Sequence, residues 1–365
     1  MSPPLPSEST PASPYAGLPD RAFWRSAVRD CAPEAISGLW QPKFQIRPDD
    51  PVASYGSCFA QHIGRALAAR GYTWLQTERP PQGVSPALAQ AHGYDLFSAR
   101  TGNIYTPSLL LQWIRWALGD AAPPNEVWPD GAQLRDPFRP TLEPEGFADA
   151  RELGRLRRVT LRAFRKSLRE AHFLVFTLGL TERWVHLAHG HEYPLCPGTA
   201  AGIFDPACHG FAPLDYAQAL DALAKALDLM RRANPGLRFL LTVSPVPLAA
   251  TASGAHVLSA TAQSKAILRT VAGALAAARA DTDYFPSFEL ITSPVFRGRF
   301  YAPDKRHVTP EGVRFVMDSF FNDMAAQFGN TATARSAPDS PGLKPGLADV
   351  VCEEELLDAF GRQGQ

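Results

Sequence analysis

Neither sign of charge prevails in this chain. Thirty-six Lys and Arg stand against 36 Asp and Glu, and the formal net charge is zero. That balance excludes the one-signed field that gathers nucleic acid or anionic membrane, so neither is expected as a partner. Cysteine is scarce. The five residues Cys31, Cys58, Cys196, Cys208 and Cys352 are odd in number, scattered and free of Cys-x-x-Cys spacing, which argues against a disulfide framework and for a reducing compartment. No apolar run approaches the ~20 residues that span a bilayer. The opening MSPPLPSESTPASPYAG lacks the basic start and apolar core of a secretory signal. A phosphate loop of the Gly-x-x-x-x-Gly-Lys type is also missing. These absences set the expectation of a cytoplasmic protein without membrane insertion, whose oligomeric state they leave open.

What remains is an ordinary globular composition, 45% hydrophobic and 20% charged over 365 residues, long enough to bury a large core. Composition divides the chain into a Pro/Ser-rich flexible arm (residues 1–22), one α/β domain (23–329) and a polar tail (330–365). The tail's last stretch, Leu347 to Phe360, reads as a short acidic amphipathic helix, and neither end looks catalytic.

Within the domain, strand and helix patterns alternate. Pro51 to Ser54 reads as a short strand and Cys58 to Arg70 as a helix stopped by Gly71. Tyr72 to Gln76 looks extended. Helices are expected over Ser108–Leu118, Arg151–Ala171, Asp215–Ala233, Gly254–Arg279 and Pro310–Phe328. The runs HFLVFTL (172–178) and RFLLTV (238–243) are continuously apolar and of strand length, as in strands buried on both faces. Phe288 to Thr292 reads as a further short strand. The alternation predicts a mostly parallel sheet with helices on both faces, hence a site at the carboxyl ends of its strands.

Those strand ends carry chemistry. Gly56-Ser57 follows the first strand, Gly179-Leu180-Thr181-Glu182 the second and Ser244-Pro245-Val246-Pro247 the third. Far along the chain, Asp304 and His307 stand three residues apart in a loop before the last helix. A carboxylate at that spacing can hold the imidazole Nδ1–H and leave Nε2 free to take a proton from a serine. A serine is inert as a nucleophile without such a base, so Ser57 and His307 gain meaning together. Serine is equally a favoured helix cap, and the spacing alone does not decide between the two roles.

The residues Gly56-Ser57-Cys58-Phe59-Ala60 spell the motif for which the GSCFA family is named. The chain also resembles that family in GNIYTP (102–107), TLGLTERW (177–184), YPLCPGTAAGIFDP (193–206) and DKRHVTPEG (304–312). The family is similar to a divergent branch of the SGNH/GDSL hydrolases, a flavodoxin-like three-layer α/β fold. The resemblance implies Ser57 as nucleophile, His307 as general base and Asp304 as its orienting carboxylate. The superfamily builds its oxyanion hole from the nucleophile's N–H, a glycine N–H and an asparagine amide. This sequence departs from that pattern, with Gly179-Leu180-Thr181 where Gly-x-Asn is expected. The donors are therefore either Gly179 with the Thr181 hydroxyl, or Gly102 with the Asn103 amide.

Other features compete for attention. Cys58 at a helix start could be a thiolate nucleophile, but beside Phe59, Ile63 and Leu67 it reads as a small core residue. His186, His189, His191, Cys196, Cys208 and His209 match no compact metal spacing and read as a long loop or hairpin near the site, with no metal expected. The basic helix containing Arg151, Arg155, Arg157, Arg158, Arg162, Arg165, Lys166 and Arg169 reads as a solvated face, with an anionic ligand as the sharper alternative. Trp113 and Trp116 read as core. Glu182 and Arg183, just past a strand end, are candidates for substrate binding.

The expected function is a serine-dependent esterase or O-acyl(acetyl)transferase. It would act on a small-molecule or glycan ester through an acyl-enzyme, in the manner of polysaccharide modification that the superfamily implies. No cofactor is required, and acetyl coenzyme A is the natural donor if transfer is the reaction. The alternative is a catalytically silent carbohydrate-binding protein of the same fold.

Overall fold

The computed structural model describes residues 13–329 and 352–361. The chain separates into two compact units, Met1–Leu39 and Trp40–Gln365, a division later than the residue 22 boundary read from composition. In the first unit the described residues form short turns at Asp20–Ala22, Arg25–Arg29 and Pro33–Ala35. Most of the N-terminal arm lies outside the described residues, as does the first part of the acidic tail helix.

The second unit is built on a four-stranded parallel sheet. Its first strand, β1 (Val52–Gly56), is followed by α1 (Ala60–Ala69), α2 (Pro86–Ala91) and α3 (Pro107–Leu118). A small hairpin, β2 (Trp128–Asp130) and β3 (Gln133–Arg135), leads to α4 (Ala150–Glu170) and β4 (Phe173–Leu178). Three short strands follow, β5 (Trp184–His186), β6 (Glu192–Tyr193) and β7 (His209–Phe211), and then α5 (Tyr216–Ala233) and β8 (Arg238–Val243). The unit continues through α6 (Val257–Ala278), β9 (Thr282–Tyr284), α7 (Ser287–Thr292) and α8 (Pro310–Phe328). The main sheet has the order β1-β4-β8-β9, every neighbour parallel, while β6-β5-β7 form a separate antiparallel sheet.

The continuous apolar runs are explained by burial on both faces. Successive strand side chains point to opposite sides. Leu174, Phe176 and Leu178 of β4, with Phe239 and Leu241 of β8, pack with residues of α3, α4, α5 and α6. Phe173 and Val175 of β4, with Leu240 of β8, pack with α1, α7 and α8. This is a three-layer α/β architecture. Trp113 and Trp116 sit in the first of these cores, as expected from their spacing.

The helix ends follow local chemistry. Asp215 and Gln218 form a capping box at α5, Asp149 caps α4, and Thr309 caps α8 just before Pro310, each serving N–H groups that a helix start leaves unpaired. One expected strand is a helix: Phe288 to Thr292 belongs to α7, and Leu290 and Ile291 on it are buried against the α8 side. The edge-strand place is taken instead by Thr282–Tyr284, paired with Phe239 to Leu241. A five-residue apolar run does not specify its own period, and packing decided it.

The basic helix α4 mostly presents its charges to solvent. The exception is Arg157, buried and paired with Asp136 at 2.8 Å, with Arg139 on the same carboxylate.

Candidate active site

The carboxyl ends of β1, β4 and β8 are stitched together by backbone hydrogen bonds. Ser57 N–H donates to Thr177 O (3.0 Å), Ile104 N–H to Gly56 O (2.8 Å), Gly179 N–H to Tyr105 O (2.9 Å) and Ser244 N–H to Leu178 O (2.8 Å). Two glycines permit this closeness. Gly56 has φ +135, and a Cβ there would lie 2.3 Å from Thr177 O; a Cβ on Gly179 would lie 2.9 Å from Ser57 Cβ. Neither position has room for a side chain.

Ser57 is 2% exposed, and its Oγ is buried without a hydrogen-bond partner. It does not cap α1: the N-cap is Phe59, with no side-chain cap bond. A buried hydroxyl left unpaired costs on the order of 1–3 kcal/mol, and Ser57 shares this state with Thr177 Oγ1 next to it in the sheet. The cavity beside it is only about 10 Å³ and is lined by Ser57, Cys58, Gly179, Ser244, Lys265 and Glu354 among others. It holds a single water at most.

The late loop makes the expected carboxylate–imidazole pair. Asp304 Oδ2 contacts His307 Nδ1, and Asp304 Oδ1 accepts from the N–H groups of Arg306 (3.0 Å) and His307 (3.1 Å). This is the local turn that a short acidic side chain favours. Burial alone would push the Asp304 carboxyl up, but the bonds from His307 and the two N–H groups outweigh it and hold it at about 2. His307 is pushed down by burial and up by Asp304 and Glu355, with a net rise above its ordinary value. Tyr301 Oη, donating to Pro245 O at 2.7 Å, ties the loop to the segment after β8.

The hydrogen bond expected from Ser57 to His307 is not formed. Nε2 instead meets Glu355 Oε1 at 2.8 Å. Glu355 belongs to a 3₁₀ segment, Glu353–Phe360, and all three glutamates at its start engage the site. Glu353 accepts from Asn103 Nδ2 (2.8 Å), Tyr105 Oη (3.1 Å), Thr141 Oγ1 (3.1 Å) and the Asn103 N–H. Glu354 pairs with Arg306 Nη2 at 3.4 Å and lines the Ser57 cavity with Lys265. Neither end of the chain reads as catalytic from composition, and residues 352–361 nevertheless lie against the candidate site residues. A run of glutamates reads as solvent-facing by default, and only long-range packing shows where it docks.

The two expected oxyanion arrangements, Gly179 with the Thr181 hydroxyl and Gly102 with the Asn103 amide, lie in different surroundings. Asn103 points its amide at a carboxylate, and Gly102 lies against the same Glu353. The N–H groups of Ser57 and Gly179 are already engaged by Thr177 and Tyr105, and the Thr181 N–H donates to Ser264 Oγ at 2.9 Å. Tyr105, Thr141, Lys265, Arg306 and the three glutamates were not singled out in the sequence. Lys265 sits at a mid-helix position with nothing local to mark it, and Arg306 is legible only as a neighbour of His307.

Glu182 and Arg183 line a groove of about 370 Å³ whose walls include Trp184, Leu195, Phe204 and, from the tail segment, Glu354, Leu357 and Phe360. Arg183 is held by Glu192 (3.4 Å) and Ala212 O (2.8 Å); Glu182 accepts from Thr251 (2.5 Å), and burial pushes its carboxyl up. Leu180, Leu248 and Glu354 line both this groove and the Ser57 cavity. The neighbouring Cys352 thiol and burial push the Cys58 thiol well above its ordinary value, the opposite of a thiolate nucleophile. Among the described residues no cluster of His, Cys, Asp or Glu could hold a metal ion. The rings of His186, His189, His191 and His209 lie against one another at β5, β7 and the β5–β6 connection, with His189 and His191 parallel and His209 edge-on to His186.

The sheet and its carboxyl-edge cluster define a mixed α/β protein whose polar side chains converge where such folds place their sites. The chain belongs to the GSCFA family, whose model matches residues 51–320. No curated protein matches it.

Proposed function

We propose that the protein is a serine acyl-transfer enzyme of SGNH-like type, an esterase or O-acyltransferase acting on a carbohydrate ester. In this reading His307 Nε2, freed from Glu355, takes the Ser57 Oγ proton. The hydroxyl oxygen attacks the ester carbonyl to give a tetrahedral oxyanion. Collapse expels the alcohol, which takes the proton back from His307, and leaves an acyl-enzyme. Water or an acceptor hydroxyl then resolves it by the reverse proton traffic. Asp304 fixes the tautomer that leaves Nε2 unprotonated.

One observation carries the reading. A carboxylate, Glu353, accepts from four neutral donors of Asn103, Tyr105 and Thr141, and Tyr105 also lines the small cavity beside Ser57. Neutral, preorganised donors of this kind suit a charge that appears only in the tetrahedral state.

The test is labelling with a fluorophosphonate probe, the modified residue mapped by mass spectrometry, alongside turnover of p-nitrophenyl acetate. Label on Ser57 and loss of turnover in Ser57→Ala are the expected results. No label on the protein supports a silent binding protein, and label on Cys58 removes the serine mechanism.

A further inference from the structure

Lys265 and Arg306 come from different parts of the chain, α6 and the late loop, and both are buried, at 3% and 9% exposure. Isolated buried cations cost several kcal/mol, so such a pair calls for an anion. Glu354 supplies it. Its carboxylate lies at 3.4 Å from Arg306 Nη2 and shares the Ser57 cavity with Lys265. Lys265 Nζ otherwise donates to a neutral acceptor, Gly179 O at 2.6 Å, and Arg306 Nη1 is buried with no partner. Donor capacity is therefore left over once the glutamate is in place.

The two neighbouring glutamate cups differ in kind. Glu353 sits among neutral amide and hydroxyl donors, which suit a transient oxyanion. Glu354 pairs with Arg306 and shares its cavity with a second cation, Lys265, surroundings that suit a permanent charge. Glu354 also stands where the 370 Å³ groove meets the small cavity beside Ser57. Among the described residues Glu354 is the one charged side chain common to the two, with Leu180 and Leu248 beside it. The segment is covalently attached, so its effective concentration is high and few contacts suffice to seat it. The groove's own carboxyl, Glu182, is pushed up by burial and turned to Thr251.

We infer that Lys265 and Arg306 form a carboxylate subsite of the substrate cleft, occupied here by Glu354 acting as a built-in pseudosubstrate, and that the substrate carries a carboxylate that takes its place. The inference rests on Ser57 being the reacting group, which is what makes the cleft a substrate site.

Binding to the full-length Glu354→Ala chain tests it, by calorimetry and thermal shift with glucose, glucuronate and glucose 6-phosphate. These probes share a sugar ring and differ at the sixth carbon. The expected result is glucuronate bound at least tenfold more tightly than glucose, more weakly by wild type, and a loss of that preference when Lys265→Gln is added. Should the double variant not fold, the Glu354→Ala chain decides alone: glucuronate held no better than glucose overturns the subsite. Glucose 6-phosphate held in preference to glucuronate overturns the carboxylate assignment. Binding needs no turnover, so a failure of Ser57 to label in the same variant would count against the acyl-transfer reading and leave the binding result standing.

Discussion

His307 is gripped from both sides. Asp304 holds Nδ1, and Glu355 stands 2.8 Å from Nε2. The nitrogen that would take the Ser57 proton is engaged by a residue 48 positions further along the chain, on a segment that also fills the Asn103 and Arg306 positions.

That grip depends on pH. The His307 pKa is raised in the fold, so its contribution to stability is full below the ordinary 6.5 and is lost as pH rises through the raised value. Asp304 behaves in the opposite sense: lowered to about 2, its contribution is present above 3.8 and lost as pH falls through about 2. Labelling of Ser57 should therefore quicken with pH through an inflection above 6.5. Glu355→Gln removes one of the carboxylates that raise His307 and should move that inflection to lower pH. An unchanged inflection in labelling against pH would mean Glu355 does not set the imidazole's proton affinity.

Releasing the segment should uncover the hydroxyl. The chain carrying Glu353→Gln, Glu354→Gln and Glu355→Gln together loses every carboxylate contact described above while keeping side-chain size. Its Ser57 should label with fluorophosphonate at least tenfold faster than wild type at pH 7. Equal rates, with circular dichroism showing an intact fold, would rule out the segment as an obstacle.

Cys58 and Cys352 are buried neighbouring thiols, and Arg306 Nη2 lies 3.5 Å from the Cys352 sulfur. The Cys58 thiol and then Arg306 pull the Cys352 thiol below its ordinary value. Diamide should take two protons and two electrons from the two thiols, becoming its hydrazine, and leave Cys58 joined to Cys352. Peptide mapping should find that bond, with Ser57 labelling slowed until dithiothreitol is added. Cys352→Ser should abolish both effects, and persistence of either in that variant refutes the pairing.

Close packing at the strand ends should be intolerant of even one methyl. Gly179→Ala places a Cβ 2.9 Å from that of Ser57, and overpacking of this kind costs about 1–3 kcal/mol. Urea unfolding should register the loss, and labelling of Ser57 should fall with it. A midpoint shift within error would show that the backbone there is free to move.

Asp136 is 1% exposed and receives both Arg139 and Arg157, at 3.0 and 2.8 Å. Asp136→Ala leaves two buried guanidinium groups without their shared carboxylate, a change worth about 3–5 kcal/mol. Arg139 also packs against Gly102, and Thr141 on the same loop donates to Glu353, so the folded fraction should also label at an altered rate. Denaturant melts against labelling per folded molecule separate the two quantities.

Much of this protein is decided locally. The runs HFLVFTL and RFLLTV are apolar on both faces, broken only by Thr177 and Thr242 between their ends, because parallel central strands are buried on both faces, and that pattern marks them as β4 and β8. Pro310 behind Thr309, and Asp215 three residues before Gln218, set helix starts through backbone N–H groups that needed partners. The Asp304–His307 pair was legible because three residues of turn bring a carboxylate to an imidazole without help from the rest of the chain. Tertiary structure decided what has no local signal. The helix at Ser287–Thr292 took its form from the core that Leu290 and Ile291 joined, since a short apolar run fits either period. Lys265 and Arg306 became a pair only because α6 and the late loop pack against the same strand ends. Glu353, Glu354 and Glu355 read as solvated charges until the fold placed buried donors opposite them: charge satisfies itself in water unless a distant surface offers something better, and that surface is not written in the neighbouring residues.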